Sequence, residues 1–290
     1  MSHEVTFWGV RGSIPTPGPG TARYGGNTPC LSITDGADGL IILDAGSGLR
    51  SLGHRLMQAG DGRALHAKLL LTHTHWDHIQ GLPFFKPLSA SGNDVTIFGA
   101  AQEGVPLEDI LGRQMDPMVF PVPLKALAAR IRVTEIAPGA IEDVAGFRVN
   151  ALRLRHPGTT LGYVLEPRAG GRKLAYITDN ELGPGGVYPV PADWRDSLVR
   201  GLDGVDVLVH DAMYSDQMIA ARAGWGHSTP REAVDLAAAA GCPRLVLFHY
   251  EPEHDDDTMD RIVEETRAYA REVAPGLTVD AATEGLTFAL

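Results

Sequence analysis

Four side chains that can bind a metal ion lie within six residues of this sequence: His73, His75, Asp77 and His78. They follow the short apolar run 69–71, which predicts the end of a buried strand. If the backbone stays extended there, the rings of His73 and His75 point to the same side. Asp77 and His78 then need a turn to swing back towards them. In a core without a metal each of these groups would need its own hydrogen-bond partner, so the pattern favours a metal site.

Metal-capable side chains also follow other predicted apolar strands, as His156, Asp179, His210 and His249 do. Placement at strand ends gathers such side chains along one edge of the sheets. Neutral imidazole and carboxylate are ligands that suit zinc, manganese and iron. The residues alone therefore predict a metal site at 73–78, on that edge of the sheets.

The elements that must position these residues are short strands in two groups, with helices between them. Strands are predicted at 5–10, 30–33, 40–43, 69–71, 94–98, 131–136, 147–154, 161–165, 173–177, 205–209 and 245–248, and the first hairpin turns at 35–39. Helices are predicted at 49–58, 106–113, 124–129, 230–240 and 257–274. The pattern alone indicates an α/β or α+β protein.

The segment 73–78 resembles the HxHxDH signature of the metallo-β-lactamase fold superfamily, in which a later His, Asp and His complete the site. The resemblance covers essentially the whole chain. It implies an α+β fold, an αββα sandwich of two mixed β-sheets flanked by helices, as a single domain over residues 1–290.

The same resemblance implies two divalent metal ions, zinc by default with manganese or iron as alternatives. It assigns the ligands residue by residue. The first metal would be held by His73, His75 and His156, and the second by Asp77, His78 and His249. Asp179 would bridge the two ions together with a water or hydroxide, and Asp77 would orient that water or take its proton.

A second group of residues, Gly226-His227-Ser228-Thr229 with His210-Asp211, resembles the ribonuclease Z-like and phosphodiesterase-like branch. The resemblance implies that His227 is the general acid that protonates the leaving oxygen and that Asp211 is its partner. A phosphodiester fits this role because its alkoxide leaving group needs a proton. Alternatively, His227 merely precedes the cap of the helix 230–240.

The chemistry expected from these parts is hydrolysis by a metal-bridging hydroxide. Ribonuclease Z carries a long tRNA-gripping arm between the equivalents of His156 and Asp179, whereas 22 residues separate them here. A small phosphodiester resembling a cyclic nucleotide is therefore the expected substrate. The alternatives are a lactone or thioester metallo-hydrolase, which would not need His227, and a non-catalytic member that binds a metal or ligand.

Composition limits the partners. The chain has 290 residues and a formal net charge of −11, which disfavours binding to extended nucleic acid. No apolar run is long enough to span a membrane, and residues 1–5 do not resemble the start of a signal peptide. The only cysteines are Cys30 and Cys242, which suits a reducing compartment, so we expect the cytoplasm.

Several segments have more than one reading. The Gly-rich and Pro-rich loop Gly12–Gly26 is either a surface loop with solvated arginines, a wall of the active site, or a contact in a homodimer of the kind the resemblance implies. Asp44 either caps the next helix or accepts the spare N–H of a ligating histidine. The segment 115–123 is expected to be a connector with some character of a lid.

Two sets of charged residues are expected to be solvated. The run 255–257 consists of three aspartates and is expected to be an exposed, helix-capping sequence without a metal. The histidines outside all motifs are expected on the surface, and they are His3, His54, His66 and His254.

Overall fold

The computed structural model describes residues 3–34, 39–59 and 63–290, so most of the turn predicted at 35–39 lies outside the described residues. Within them the strands are β1 (Glu4–Gly9), β2 (Cys30–Thr34), β3 (Leu40–Leu43), β4 (His66–Leu70), β5 (Asp94–Gly99), β6 (Arg130–Glu135), β7 (Gly139–Val144), β8 (Phe147–Arg153), β9 (Leu161–Pro167), β10 (Leu174–Ile177), β11 (Val207–Asp211), β12 (Arg244–Phe248), β13 (Thr278–Ala281) and β14 (Thr287–Ala289).

The helices in the same ranges are α1 (Gly48–Ala59), α2 (Trp76–Ile79), α3 (Leu107–Arg113), α4 (Trp194–Gly201), α5 (Asp216–Ile219), α6 (Pro230–Ala239) and α7 (Asp256–Val273). Local sequence explains the two that begin most sharply. At α6, Thr229 accepts a hydrogen bond from the Glu232 backbone while the Glu232 side chain accepts one from Thr229, which is a capping box. At α7, Asp255 caps the helix by accepting from the backbone N–H of Thr258.

The strands form two mixed sheets of seven strands each. The first has the order β14-β1-β2-β3-β4-β5-β6, antiparallel up to β3 and parallel from β3 to β6. The second has the order β13-β12-β11-β10-β9-β8-β7, parallel from β13 to β10 and antiparallel from β10 to β7. In each sheet the parallel strands therefore bring several carboxyl ends to the same edge.

The core lies in layers. Between the sheets, Phe7 of β1 packs against Phe248 of β12 with ring centroids 5.8 Å apart. Leu49 of α1 and Leu107 of α3 are buried against the other face of the first sheet, and α6 and α7 pack on the second sheet. This arrangement confirms the predicted αββα sandwich.

The strands that sequence patterns did not predict are β7, β13 and β14, and the helices that they did not predict are α2, α4 and α5. The predicted helix at 124–129 is reduced to a 3₁₀ turn, Leu124–Ala126. No helix in the described part of the chain is long and apolar enough to cross a membrane.

Two predictions of exposure are wrong, those for His254 and Asp256, and the open reading of solvated arginines near the loop Gly12–Gly26 does not hold for Arg11. Arg11 is fully buried because its guanidinium donates to the backbone carbonyls of Gly25, Glu251 and His254. His254 is itself buried, and burial lowers its pKa to about 4. Asp256 is buried as well, because its carboxylate accepts hydrogen bonds from the backbone of the loop Gly12–Gly26.

Candidate metal centre

The candidate ligands lie where strands of both sheets end. After β4 the chain passes through His73 and His75 and turns into α2, whose first turn carries Asp77 and His78. The second sheet contributes the other three, after β8, β10 and β12. The loop sequences differ, but each begins at the carboxyl end of a strand, and this is why residues far apart in sequence meet.

The first group consists of His73, His75, His156 and Asp179, whose ligand atoms all lie within 4.8 Å of one another. His75 Nδ1 is 2.9 Å from His156 Nε2. The Nε2 atoms of His73 and His156 are each 3.6 Å from Oδ2 of Asp179. His75 is the exposed member, and the others are buried.

The second group consists of Asp77, His78, His249 and again Asp179, all buried. The Nε2 atoms of His78 and His249 are each 3.2 Å from Oδ1 of Asp179. The same two atoms are 3.3 and 3.2 Å from Oδ2 of Asp77.

Asp179 belongs to both groups and turns one oxygen towards each: Oδ2 faces the first group and Oδ1 faces the second. A tetrahedral zinc with ligands at about 2.1 Å places those ligands about 3.4 Å apart. The observed separations of 3.2–3.6 Å match that spacing. The geometry can therefore accommodate two cations that share one carboxylate.

The donor atoms also fit cations chemically. The Nε2 atoms of His73 and His78 are buried without a hydrogen-bond partner, which is costly unless a ligand binds them. Burial lowers the pKa of His73 well below its usual value, so its imidazole is neutral, as a metal ligand must be. For His78, burial acts in the same direction, but the carboxylates of Asp179, Asp77 and Asp44 outweigh it and raise the pKa well above the usual value. The carboxylates thus make this a place where positive charge is favoured.

Asp44 lies behind the second group rather than at a helix start. Its Oδ2 accepts from Nδ1 of His78 at 2.8 Å and from the hydroxyl of Tyr176 at 3.0 Å. Its Oδ1 accepts from the backbone N–H of Thr72 at 2.8 Å. Because a carboxylate only accepts, His78 carries its proton on Nδ1 and presents Nε2 to the site.

Backbone strain marks the same place. Asp44, Asp179 and His249 have φ values of 60°, 51° and 61°, in the left-handed region that side chains with a Cβ atom seldom adopt. Each such residue costs free energy that the surrounding structure must compensate. This backbone conformation directs the three side chains from their strand ends into one cluster.

Glu181 is a residue that sequence reasoning missed. It is buried, and its Oε2 accepts from the backbone N–H groups of Gly224 and Gly226 at 2.9 and 3.0 Å. The carbonyl of Gly226 in turn accepts from Nδ1 of His156 at 2.9 Å. Glu181 therefore fixes the loop 224–227 and, through it, the ring of His156. Its position next to Asp179 and Asn180 was the only signal in the sequence.

His227 stands beside both groups of ligands. Its Nδ1 is 2.8 Å from Oδ2 of Asp211, and its ring centroid is 5.1 Å from those of His156 and His249. Burial by itself lowers the pKa of His227, but Asp211 outweighs it and raises the pKa to about 9. The structure thus brings His227 and Asp211 together as a hydrogen-bonded pair next to the metal centre.

The loop Gly12–Gly26 forms one wall of this centre. The backbone N–H of Ser13 donates to Oδ2 of Asp77 at 2.8 Å. A Cβ atom added at Gly12 would lie 2.6 Å from Cε1 of His249. Three interpretations of this loop were left open. These direct contacts support the one in which the loop is a wall of the site.

Comparison with known proteins places these features in a family. The family model described as "Beta-lactamase superfamily domain" matches residues 40–250. A ribonuclease Z of Methanosarcina mazei is 25% identical over 88% of this chain and 89% of its own length. A ribonuclease Z of Halorubrum lacusprofundi is 27% identical, with 89% of each chain covered.

Solved structures share the fold at lower identity. Unliganded yeast PDE1 matches with a TM-score of 0.71 and 16% identity, covering 100% of this chain and 99% of that one. The metallo-β-lactamase fold protein YhfI from Bacillus subtilis matches with a TM-score of 0.69 and 19% identity over the whole of both chains.

Proposed function

This chain belongs to the β-lactamase superfamily and is a metal-dependent hydrolase, and we propose that it is a phosphodiesterase acting on a small phosphodiester resembling a cyclic nucleotide. We further propose that two divalent ions, zinc by default, bind at the seven residues described above. When bound, such ions activate a water molecule as the nucleophile and stabilise negative charge on the phosphoryl group.

The observation that carries this proposal is the pair His227 and Asp211 beside the ligands. Asp211 accepts from Nδ1 of His227, so the opposite nitrogen, Nε2, is the one that donates a proton to the leaving oxygen. Cleavage of an alkyl phosphodiester expels a poor leaving group, which needs that proton. A lactone or thioester hydrolase would not require the pair.

The chain's other residues orient the reactants. Asp77 turns Oδ2 towards Ser13, His78 and His249, so Oδ1 is the oxygen that would orient the attacking water or take its proton. Glu181 holds the loop that carries His227, and this keeps the acid in place on the side of the leaving group.

The expected size of the substrate follows from the segment between His156 and Asp179. It folds back as the antiparallel pair β9 and β10, so no arm projects from it. Together with the net charge of −11, this favours a small substrate over a long polyanion. RNA remains the second candidate, because the curated relatives are named ribonuclease Z and the reacting group in RNA is also a phosphodiester.

The test compares leaving groups. The purified chain loaded with zinc or manganese should hydrolyse bis(p-nitrophenyl) phosphate and a cyclic nucleotide, and chelation should abolish both activities. His227→Ala should lower kcat/KM about 10²–10⁴-fold for the cyclic nucleotide but far less for the nitrophenyl ester, whose leaving group needs no proton. No turnover of any phosphodiester with either metal removes the proposal, and faster cleavage of a structured RNA would favour the second candidate.

A further inference from the structure

A cavity of about 390 Å³ opens beside the first group of ligands and is unexplained by the chemistry above. His73 and His75 form one side of it. Glu103, Val105, Ile110 and Arg113 form much of the rest. Its volume lies within the range of pockets that bind small organic molecules. A substrate whose phosphoryl group reached the ligands could place its remaining part in this cavity.

The backbone of the cavity's walls is fixed by hydrogen bonds and by the packing of α3. Gln102 and Val105 exchange backbone hydrogen bonds of 3.1 and 2.8 Å around the two-residue turn 103–104, where Glu103 has φ 49° and Gly104 has φ 81°. Positive φ at both central residues is typical of a tight type I′ turn. Ile110 and Arg113 are three residues apart on α3, so they share a face of the helix. The buried Leu107 and Leu111 anchor that helix to the core.

The guanidinium of Arg113 carries a positive charge that is free to bind a ligand. Among the described residues, no carboxylate lies within 4.0 Å of its guanidinium, and its side chain makes no hydrogen bond. Arg113 also borders a second cleft with Asp109 and Asp116, yet neither pairs with it. An unpaired guanidinium in a chain of net charge −11 presents a planar fork of donors to whatever enters the cavity.

The charges in the cavity favour a neutral, flat ligand over a second anion. Glu103 shares the cavity with Arg113, so a phosphate or carboxylate bound by the arginine would be opposed by a like charge. Val105 and Ile110 add apolar surface to the lining. A nucleobase is neutral and flat, and it has hydrogen-bond acceptors on one edge and donors on another.

The donors and acceptors distinguish the bases. An arginine fork matches the N7 and O6 acceptors of guanine, whereas adenine is matched by the side-chain amide of Asn or Gln. Gln102 is the amide in the cavity, but both of its polar atoms are engaged: Oε1 accepts from the Thr159 N–H at 2.7 Å and Nε2 donates to the Thr159 carbonyl at 2.8 Å. Glu103 can accept from N1–H and the amino group of guanine.

We propose that this cavity is a guanine subsite in which Arg113 binds the N7 and O6 edge, so that the substrate is a guanosine phosphodiester. This inference rests on the proposed phosphodiesterase function. Its test does not depend on turnover, because binding of the mononucleotide can be measured directly.

The experiment is isothermal titration of the zinc-loaded chain with GMP and with AMP. The wild-type chain should bind GMP about 10-fold or more tightly than AMP, since one bidentate pair discriminates to about that degree. Arg113→Ala should bind the two within twofold of each other, by weakening GMP alone. Arg113→Lys should also lose most of the preference, because an ammonium lacks the planar fork.

Two further variants serve as checks. Lys125→Ala removes a cation that borders the neighbouring cleft but not this cavity, and it should retain the wild-type preference. Glu103→Gln tests the opposite wall without touching α3, and should reduce the preference for GMP about threefold or more. Comparable affinity of the wild-type chain for GMP and AMP, no detectable binding of GMP at millimolar concentration, or equal weakening of both ligands by Arg113→Ala overturns the guanine subsite. Bis(p-nitrophenyl) phosphate, which has no base, reports separately on the proposed function.

Discussion

Replacing Gly12 by Ala should weaken metal binding through a single added carbon atom. A Cβ atom at Gly12 would lie 2.6 Å from Cε1, 2.7 Å from Nδ1 and 3.2 Å from Nε2 of His249. Ordinary contact begins at 3.4 Å, so ring and backbone must separate by about 0.8 Å. The φ of Gly12 is not positive, and the effect is therefore one of space alone.

Neither partner can move away easily. The backbone of Gly12 donates to the carbonyl of Tyr250 at 2.9 Å and accepts from Ile14 at 2.7 Å. The ring of His249 is stacked between those of His78 and His227, with interplanar angles of 21° and 18°. Metal–ligand distances tolerate about 0.2 Å. The required shift is several times larger, so we expect zinc affinity to fall about 10–100-fold, as for other disturbances of a ligand's support.

The assay is a zinc titration of the chelated protein in competition with a chromophoric chelator, with thermal unfolding of the metal-free form as a check on folding. Gly18→Ala is the matched control, because it lies in the same loop, is extended, and has no atom within 4 Å of its added Cβ. Gly18→Ala should bind zinc as the wild-type chain does. Two zinc ions held by Gly12→Ala with wild-type affinity would refute the reasoning.

Three further predictions concern other residues. Asp179→Asn should reduce the zinc retained after dialysis from two ions to one or none, because the shared carboxylate is lost. Elemental analysis that finds two zinc ions in this variant would contradict the bridging role. Glu181→Gln should lower kcat for the cyclic nucleotide about 10-fold with little change in KM, since the loop carrying His227 loses a charged acceptor; a change confined to KM would count against this. His254 has its pKa lowered to about 4, so the folded state disfavours its protonation and stability should fall as pH drops from about 6.5 towards 4. Urea unfolding should show His254→Gln gaining at most about 2 kcal/mol over the wild-type chain at pH 5 and almost nothing at pH 7, whereas an equal difference at both pH values would exclude this cause.

The parts of the fold and site that sequence predicted are those encoded locally. The ligand segment 73–78 is continuous, and the capping box at Thr229 is read from four residues. The burial of Arg11 could not be predicted, because its partners are backbone carbonyls up to 243 positions away. Glu181 was missed for the same reason, since it acts on the backbone of residues 224 and 226.

The burial of Arg11 and Asp256 has one physical cause. Charged residues were expected at the surface because most are found there. Arg11 and Asp256 depart from that rule because backbone groups of remote loops satisfy them. Sequence gives no sign of such pairing, since every residue carries the same peptide N–H and C=O.

The division of the ligands between the two sheets has a consequence for the lifetime of the protein. The first half of the chain contributes the segment after β4 and the second half contributes His156, Asp179 and His249. Bound cations would therefore tie the two halves together as a cross-link does, and would favour the folded chain by mass action. Metal supply would then govern resistance to proteolysis, so that a chain starved of metal is cleared sooner than one that is merely inactive.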